Sequence, residues 1–337
     1  MRVSEIPIGK LQTANHLLND FDKLSALYLE EGYLFFRNVL NEPAVLRAKQ
    51  EFVRVLQQQG VAKADESEAI WTGAGLDQID DDALYALDGY QELLDLDSTR
   101  RFVEGIFAEP VFMYRNVDIR FALPNDERHL TPSHQDHFFI RQTARFRTVW
   151  IPLMPIERKV GGLAVAARSH HRGLLEHVEH EIAYSYIFRG RKQRGVPLES
   201  IGQTWLTADY RPGDMLVFHS LMIHRALPNT SDRIRLSLDT RYQPLSEPRT
   251  WQAEKTILEL RHYRRRVREI AFVEGASEQL FESVLIEMMK QGLEAEKENV
   301  RTVMEQMCQE KKRWPGPSMT LSRIAENSET LILVEDT

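Results

Sequence analysis

A single cysteine, Cys308, stands in a chain of 337 residues, which excludes an intramolecular disulfide and leaves no sign of an oxidising compartment. Long apolar runs are missing as well. None approaches the roughly 20 residues that span a bilayer, and the opening MRVSEIPIGK holds no apolar signal core. Surplus positive charge is absent: Asp and Glu outnumber Lys and Arg by 50 to 43, for a formal charge of −7, so no basic field exists for an extended nucleic-acid surface. The one basic run, Arg261 to Arg268, reads as the solvated face of a charged helix. These absences leave a cytoplasmic globular protein, without nucleic-acid or membrane partners, long enough for one large domain with additions.

What is present falls into three textures. Residues 1–110 read as an N-terminal helical region with one sheet strand: Phe21, Leu24, Leu27 and Leu29 precede the strand word GYLFFRNVL, and Val45, Ala48, Phe52, Val55 and Leu56 then recur at helical spacing. Within it, residues 60–82 carry Gly60, Gly73 and Gly75 with several acids around Trp71, and read as a loop, a candidate lid over an active site. From 111 to 248 the segments FMYRNVDIRFAL, RFRTVWIPLM, DMLVFHS and IRLSLDTRY are strand-length and separated by turn words. This predicts a mainly β core with flanking helices, closed as a double-stranded β-helix, the cupin-like jelly roll. Residues 249–337 return to helix until about 313 and end in a loop and exposed tail from Pro315. In that extension Phe281, Leu285, Met288 and Met289 form an apolar stripe that reads as core or as a homodimer contact.

The chemistry concentrates in the β region. His134 and Asp136 of His134-Gln135-Asp136 stand two apart, so on an extended segment both side chains point to one face. A distal imidazole is offered by His219 or His224, on a strand launched by Pro212-Gly213-Asp214 and closed by the turn 228–232. Two imidazoles and a carboxylate suit a ferrous ion, occupying one face of its octahedron and leaving the other open. On the return strand Arg235, Ser237, Asp239 and Arg241 share one face, and Ile234, Leu236 and Leu238 the other. A second spaced pair, His177-Val178-Glu179 followed by His180, lies in polar sequence and reads as an exposed helix or loop. Each of these residues alone is an ordinary strand side chain; only their order and surroundings single out a site.

Those surroundings carry a resemblance. The words HQD at 134–136, the Trp150 strand, GGLAVAARSH at 161–170, GDMLVFH at 213–219 and His224-x10-Arg235, with the opening EEGYLFFRNVLNEPAV, make residues 20–245 resemble the phytanoyl-CoA dioxygenase family of Fe(II)/2-oxoglutarate oxygenases. The resemblance implies iron ligation by His134, Asp136 and His224, a structural place for His219, and use of 2-oxoglutarate and O2 with release of succinate and CO2. It also implies that Arg235 clamps the distal carboxylate of 2-oxoglutarate, for which a planar guanidinium is suited, and that Trp150 and Gln135 lie beside the co-substrate. The retained Asp136 favours hydroxylation over halide transfer. The sequence departs from the family pattern at Ala166-Ala167-Arg168, where a Pro-Gly turn usually precedes Ser-His, and at Ala226, where a small hydroxyl residue is common.

Tyr114, Asn116, Asp118 and Arg120 alternate on one face of an early strand, and Phe138 follows Asp136 with the same parity. Asn116, Arg120 and Phe138 are therefore candidate contacts to a small-molecule substrate, whose identity the sequence does not carry. Two other classes stay open: a cupin-like metal enzyme that does not use 2-oxoglutarate, and a non-catalytic jelly-roll binding protein. Formation of succinate discriminates both from the leading reading.

Overall fold

A computed structural model describes residues 8–140, 143, 145–184 and 192–313; the tail expected from Pro315 lies outside them. The N-terminal third contains β1 (Ile8–Lys10), α1 (Phe21–Glu31), β2 (Tyr33–Phe36), α2 (Glu42–Gln58), α3 (Asp81–Tyr85), α4 (Gly89–Asp95) and α5 (Asp97–Phe107). Asp20 caps α1 by accepting from the Lys23 backbone, and Asn41 with Pro43 starts α2. Helix α1 ends at Gly32 with φ +77°. A Cβ there would be driven into the His170 ring and the Met222 methyl, so only glycine meets both the left-handed turn and the close approach.

The middle of the chain supplies β3 (Val111–Met113), β4 (Asp118–Ala122), the single turn α6 (Asp136–Phe139), β5 (Arg147–Pro152), β6 (Leu163–Ala166), β7 (Val178–Tyr184), β8 (Lys192–Gly195), β9 (Trp205–Thr207), β10 (Met215–His219), β11 (His224–Ala226) and β12 (Arg235–Pro244). The major sheet runs β2-β10-β5-β12-β3, with β4 also on β12; the minor sheet runs β1-β9-β6-β11, and β7 and β8 form a separate hairpin. The two sheets face each other as a jelly roll. The N-terminal region thus contributes two strands rather than the one expected, β2 to the major sheet and β1 as a parallel edge on β9.

Register fixes what the sheet interior contains. One cross-strand row of the major sheet reads Phe35, Leu216, Trp150, Asp239, Asp118; the next reads Tyr33, Phe218, Thr148, Arg241. The inner face therefore grades from aromatic at β2 to charged at β12 and β4. Its outer face is apolar apart from its Arg147 and His219 end and packs against helices, with Phe36 set edge-on against Phe102 of α5 at 5.0 Å and Arg147 over Tyr28 of α1 and Phe107 of α5.

The C-terminal helices α7 (Ile257–Val273), α8 (Glu278–Gln291) and α9 (Lys297–Arg313) enclose a core of their own. The stripe of Phe281, Leu285, Met288 and Met289 is buried inside it, which resolves the stripe as core. A capping box between Thr256 and Glu259 starts α7. The basic run on α7 is not a wholly solvated face. Arg261 and Arg264 are buried, the first paired with Asp81 and Asp82 of α3 and the second with Glu282 of α8.

Three other expectations change. FMYRNVDIRFAL is two strands, because Tyr114 and Arg115 donate their backbone N–H groups to Arg241 and Ala253 and turn the chain between β3 and β4. The segment 60–82 is stitched down rather than a free lid: Trp71 N–H donates to the Asp232 carbonyl at 2.9 Å and Ile234 N–H to that of Ala69 at 2.8 Å. Residues 178–180 are the start of strand β7 rather than helix or loop; Val178 and Glu179 are exposed there, whereas His177 just before it is buried.

Candidate metal centre

His134 and His224 are brought together by the backbone. They form an isolated antiparallel bridge in which His134 N–H donates to the His224 carbonyl at 2.9 Å and His224 N–H to that of His134 at 3.0 Å. Directly opposed residues put their side chains on the same side, and the ring centroids lie 4.1 Å apart. Each Nδ1 meets a backbone carbonyl two residues upstream, Pro132 at 2.9 Å and Met222 at 3.1 Å. A carbonyl can only accept, so Nδ1 carries the proton and Nε2 of the neutral ring is left as a lone pair.

Asp136 opens the single turn α6, whose Ile140 N–H donates back to the Asp136 carbonyl. The turn carries its carboxylate to the two imidazoles, with Oδ1 at 3.5 Å from His134 Nε2 and 3.7 Å from His224 Nε2. The other oxygen, Oδ2, accepts from Thr148 Oγ1 at 2.5 Å and lies 3.5 Å from Arg241 Nη2. All three candidate ligand atoms lie within 4.8 Å of one another, on three buried residues. Burial pushes the His224 ring down to about 3, outweighing the nearby carboxylate. Burial alone would raise Asp136, but the Arg241 charge holds it well below the usual carboxylate range. With both Nδ1 atoms facing carbonyls, the arrangement is two lone pairs and an anion converging on one point. Three acceptors so placed repel one another unless a cation lies between them, and their mixed nitrogen and oxygen character fits ferrous iron.

A charged chain leads away from the centre. Arg241 Nη1 pairs with Asp118 Oδ2 at 2.6 Å, and Arg120 bridges Asp118 at 3.2 Å and Asp239 at 2.7 Å. Arg235 is buried at the head of β12, opposite Ala122, on the same face as Ser237. The Ser237 hydroxyl is buried and has no hydrogen-bond partner among the described residues, so this face holds a polar atom that a bound ligand would satisfy.

The remaining expected residues divide. Trp150 is on the inner face, between Leu216 and Asp239, and packs edge-on against Tyr210 at 4.6 Å. Gln135 has its amide committed to the backbone: its nitrogen donates to the Gly173 and Leu221 carbonyls and its oxygen accepts from Leu175 N–H. It fastens the 173–177 segment over the site, and its backbone N–H donates to His177 Nε2 at 3.0 Å. Phe138 stacks flat on His177 with centroids 4.0 Å apart, while Phe139 stands edge-on to His134 at 5.6 Å. Asn116 lies in the turn between β3 and β4, with its buried Oδ1 lacking a partner among the described residues. Arg120 is occupied by the two carboxylates named above. His219 ends β10 opposite Arg147, on the outer face, and stacks against Tyr28 of α1 at 5.9 Å.

Thr148 and Phe139 carry no sequence signal of a site, and His177 belongs to the spaced pair that reads as exposed. Thr148 shares the parity of Trp150, two positions on, which is the one signal that it faces inward.

Two β-sheets with a buried pair of imidazoles and a carboxylate between them are the build of a non-haem metal oxygenase. The profile of the phytanoyl-CoA dioxygenase family (PhyH) matches residues 28–237. The chain is also 35% identical over 246 residues to the 1-deoxypentalenic acid 11-beta-hydroxylase of Streptomyces exfoliatus, covering 70% of this chain and 86% of that protein. The enzyme of the same name from Streptomyces arenae matches to the same extent. This protein belongs to the phytanoyl-CoA dioxygenase family and is a non-haem Fe(II)/2-oxoglutarate-dependent dioxygenase, with iron, 2-oxoglutarate and O2 as its cofactor and co-substrates. Among solved structures, that of EctD from S. alaskensis with 2-oxoglutarate and 5-hydroxyectoine overlaps 74% of this chain and 90% of its own, at 13% identity and a TM-score of 0.49. The assignment rests on the sequence matches.

Proposed function

We propose that this enzyme hydroxylates a small, largely apolar substrate, coupled to conversion of 2-oxoglutarate to succinate and CO2, with iron held by His134 Nε2, Asp136 Oδ1 and His224 Nε2. The observation that carries this reading is the convergence of those three atoms within 4.8 Å, with both Nδ1 atoms tied to carbonyls. Iron and 2-oxoglutarate supply the activation of O2 and the oxidative decarboxylation; the side chains bind, orient and exclude water.

Arg235 anchors the distal carboxylate of 2-oxoglutarate through its fork, and the Ser237 hydroxyl on the same face donates to it. Trp150, Leu216 and Phe218 form the dry wall against which the co-substrate's carbon chain lies. Phe138, Phe139 and His177 flank His134 and give the open side an aromatic wall that orients an apolar scaffold. Asn116 offers the substrate a carbonyl acceptor. Arg120, committed to Asp118 and Asp239, keeps that wall rigid.

The activity of the two Streptomyces relatives makes 1-deoxypentalenic acid the first substrate to try. The experiment is aerobic incubation of the enzyme with Fe(II), 2-oxoglutarate and that acid, following succinate and product mass. Succinate in step with a product heavier by one oxygen supports the proposal. Bound metal with no succinate from this or any other candidate moves the reading to a cupin-like enzyme of different co-substrate use.

A further inference from the structure

The two oxygens of the Asp136 carboxylate have separate surroundings. Oδ1 faces both imidazole Nε2 atoms, whereas Oδ2 is held by Thr148 and approached by Arg241. Neither holder is there by accident of a flexible side chain. Thr148 is fully buried on β5, which is hydrogen-bonded on both sides by β10 and β12, and its branched side chain has few rotamers. Its one hydroxyl proton is spent on Oδ2. Arg241 sits beside it in the same cross-strand row, and Asp118, with Nη1 at 2.6 Å, sets the direction of its guanidinium independently of Asp136.

A carboxylate facing a divalent cation with both oxygens free can swing to bind through both. That would consume one of the positions an oxygenase must leave open. We infer that Thr148 and Arg241 are positioning residues that reserve Asp136 Oδ2 and confine Asp136 to ligation through Oδ1 alone. Thr148 supplies the direct hydrogen bond, and Arg241 supplies a balancing charge whose orientation β4 controls through Asp118. The inference rests on the proposed role of Asp136 as an iron ligand.

The test uses Co(II) as the probe metal with the full-length enzyme, reading affinity and the visible ligand-field spectrum, and requires no turnover. Thr148→Val keeps the shape and loses the hydroxyl; Thr148→Ser keeps the hydroxyl. The valine variant is expected to bind Co(II) about ten- to a hundredfold more weakly, with shifted visible bands, and the serine variant to restore both. Arg241→Gln gives the same test from the second partner if the valine variant does not fold. Affinity and spectrum equal to wild type in the variants that remove the hydrogen bond or the charge would overturn the inference. So would a serine variant as impaired as the valine one, since that would indicate packing. Wild-type Co(II) binding that survives His134→Ala would instead contradict the ligand set itself, which separates the two failures.

Discussion

His134 and His224 exchange two backbone hydrogen bonds, of 2.9 and 3.0 Å, across the gap between two strand systems. The candidate metal-binding pair is therefore set by main-chain pairing before any side chain is considered. Replacing either imidazole, or Asp136, by alanine should leave that bridge intact. The expected result is loss of iron-dependent succinate formation to background, with far-ultraviolet dichroism unchanged. An Asp136→Ala enzyme turning over at the wild-type rate would contradict its place as ligand.

Arg235→Ala should weaken 2-oxoglutarate binding by about 2–5 kcal/mol, through loss of a buried charge-assisted pair. Ser237→Ala should cost less, about 0.5–1.5 kcal/mol, as loss of a single hydrogen bond. Titration of 2-oxoglutarate into the Mn(II)-loaded enzyme measures both. An unchanged dissociation constant in the arginine variant would reassign that residue to structure.

Acid should destabilise the fold in a defined window. Burial, reinforced by His170 and Arg147, pushes His219 down to about 4, against about 6.5 in an unfolded chain. Between those values the unfolded chain holds the extra proton, so stability rises with pH through the window. It is fully expressed above about pH 6.5 and is lost as the pH falls towards about 4. His224, pushed to about 3, acts with the same sign. His219→Gln should flatten the dependence of Tm on pH across this range; an unaltered slope would place the acid sensitivity elsewhere.

Gly32 and Gly60 both have positive φ, at +77° and +73°, but a Cβ at Gly32 meets His170 and Met222 while one at Gly60 meets nothing within 4 Å. Gly60→Ala should cost about 1–2 kcal/mol, from backbone strain alone. Gly32→Ala adds overpacking of about 1–3 kcal/mol. Chemical denaturation of the two variants isolates the difference, and equal losses would show that the α1 terminus yields easily.

The candidate ligand residues stood out because His134-Gln135-Asp136 and His224 come in recognisable surroundings, and because alternation assigns faces within a strand. That alternation also put Arg235, Ser237, Asp239 and Arg241 on one face of β12. It could not tell which arginine reaches Asp136, because that depends on the register of β12 against Asp118 of β4 and Thr148 of β5. The backbone partners of Gln135 were illegible for a related reason. Its amide is satisfied by residues 173, 175 and 221, distant in sequence. His177 lies in polar sequence, and its burial comes from the flat stack on Phe138, a contact no local pattern encodes. The break at Tyr114 likewise follows from its partners on β12, including the hydrogen bond from its hydroxyl to Gln243 at 2.6 Å.

The most direct test of the central claim is anaerobic titration of the enzyme with Fe(II) and 2-oxoglutarate, followed by admission of air. A weak visible charge-transfer band that requires both additions and is lost in His224→Ala, followed by succinate on oxygenation, is the predicted result. Iron binding with neither band nor succinate would contradict it.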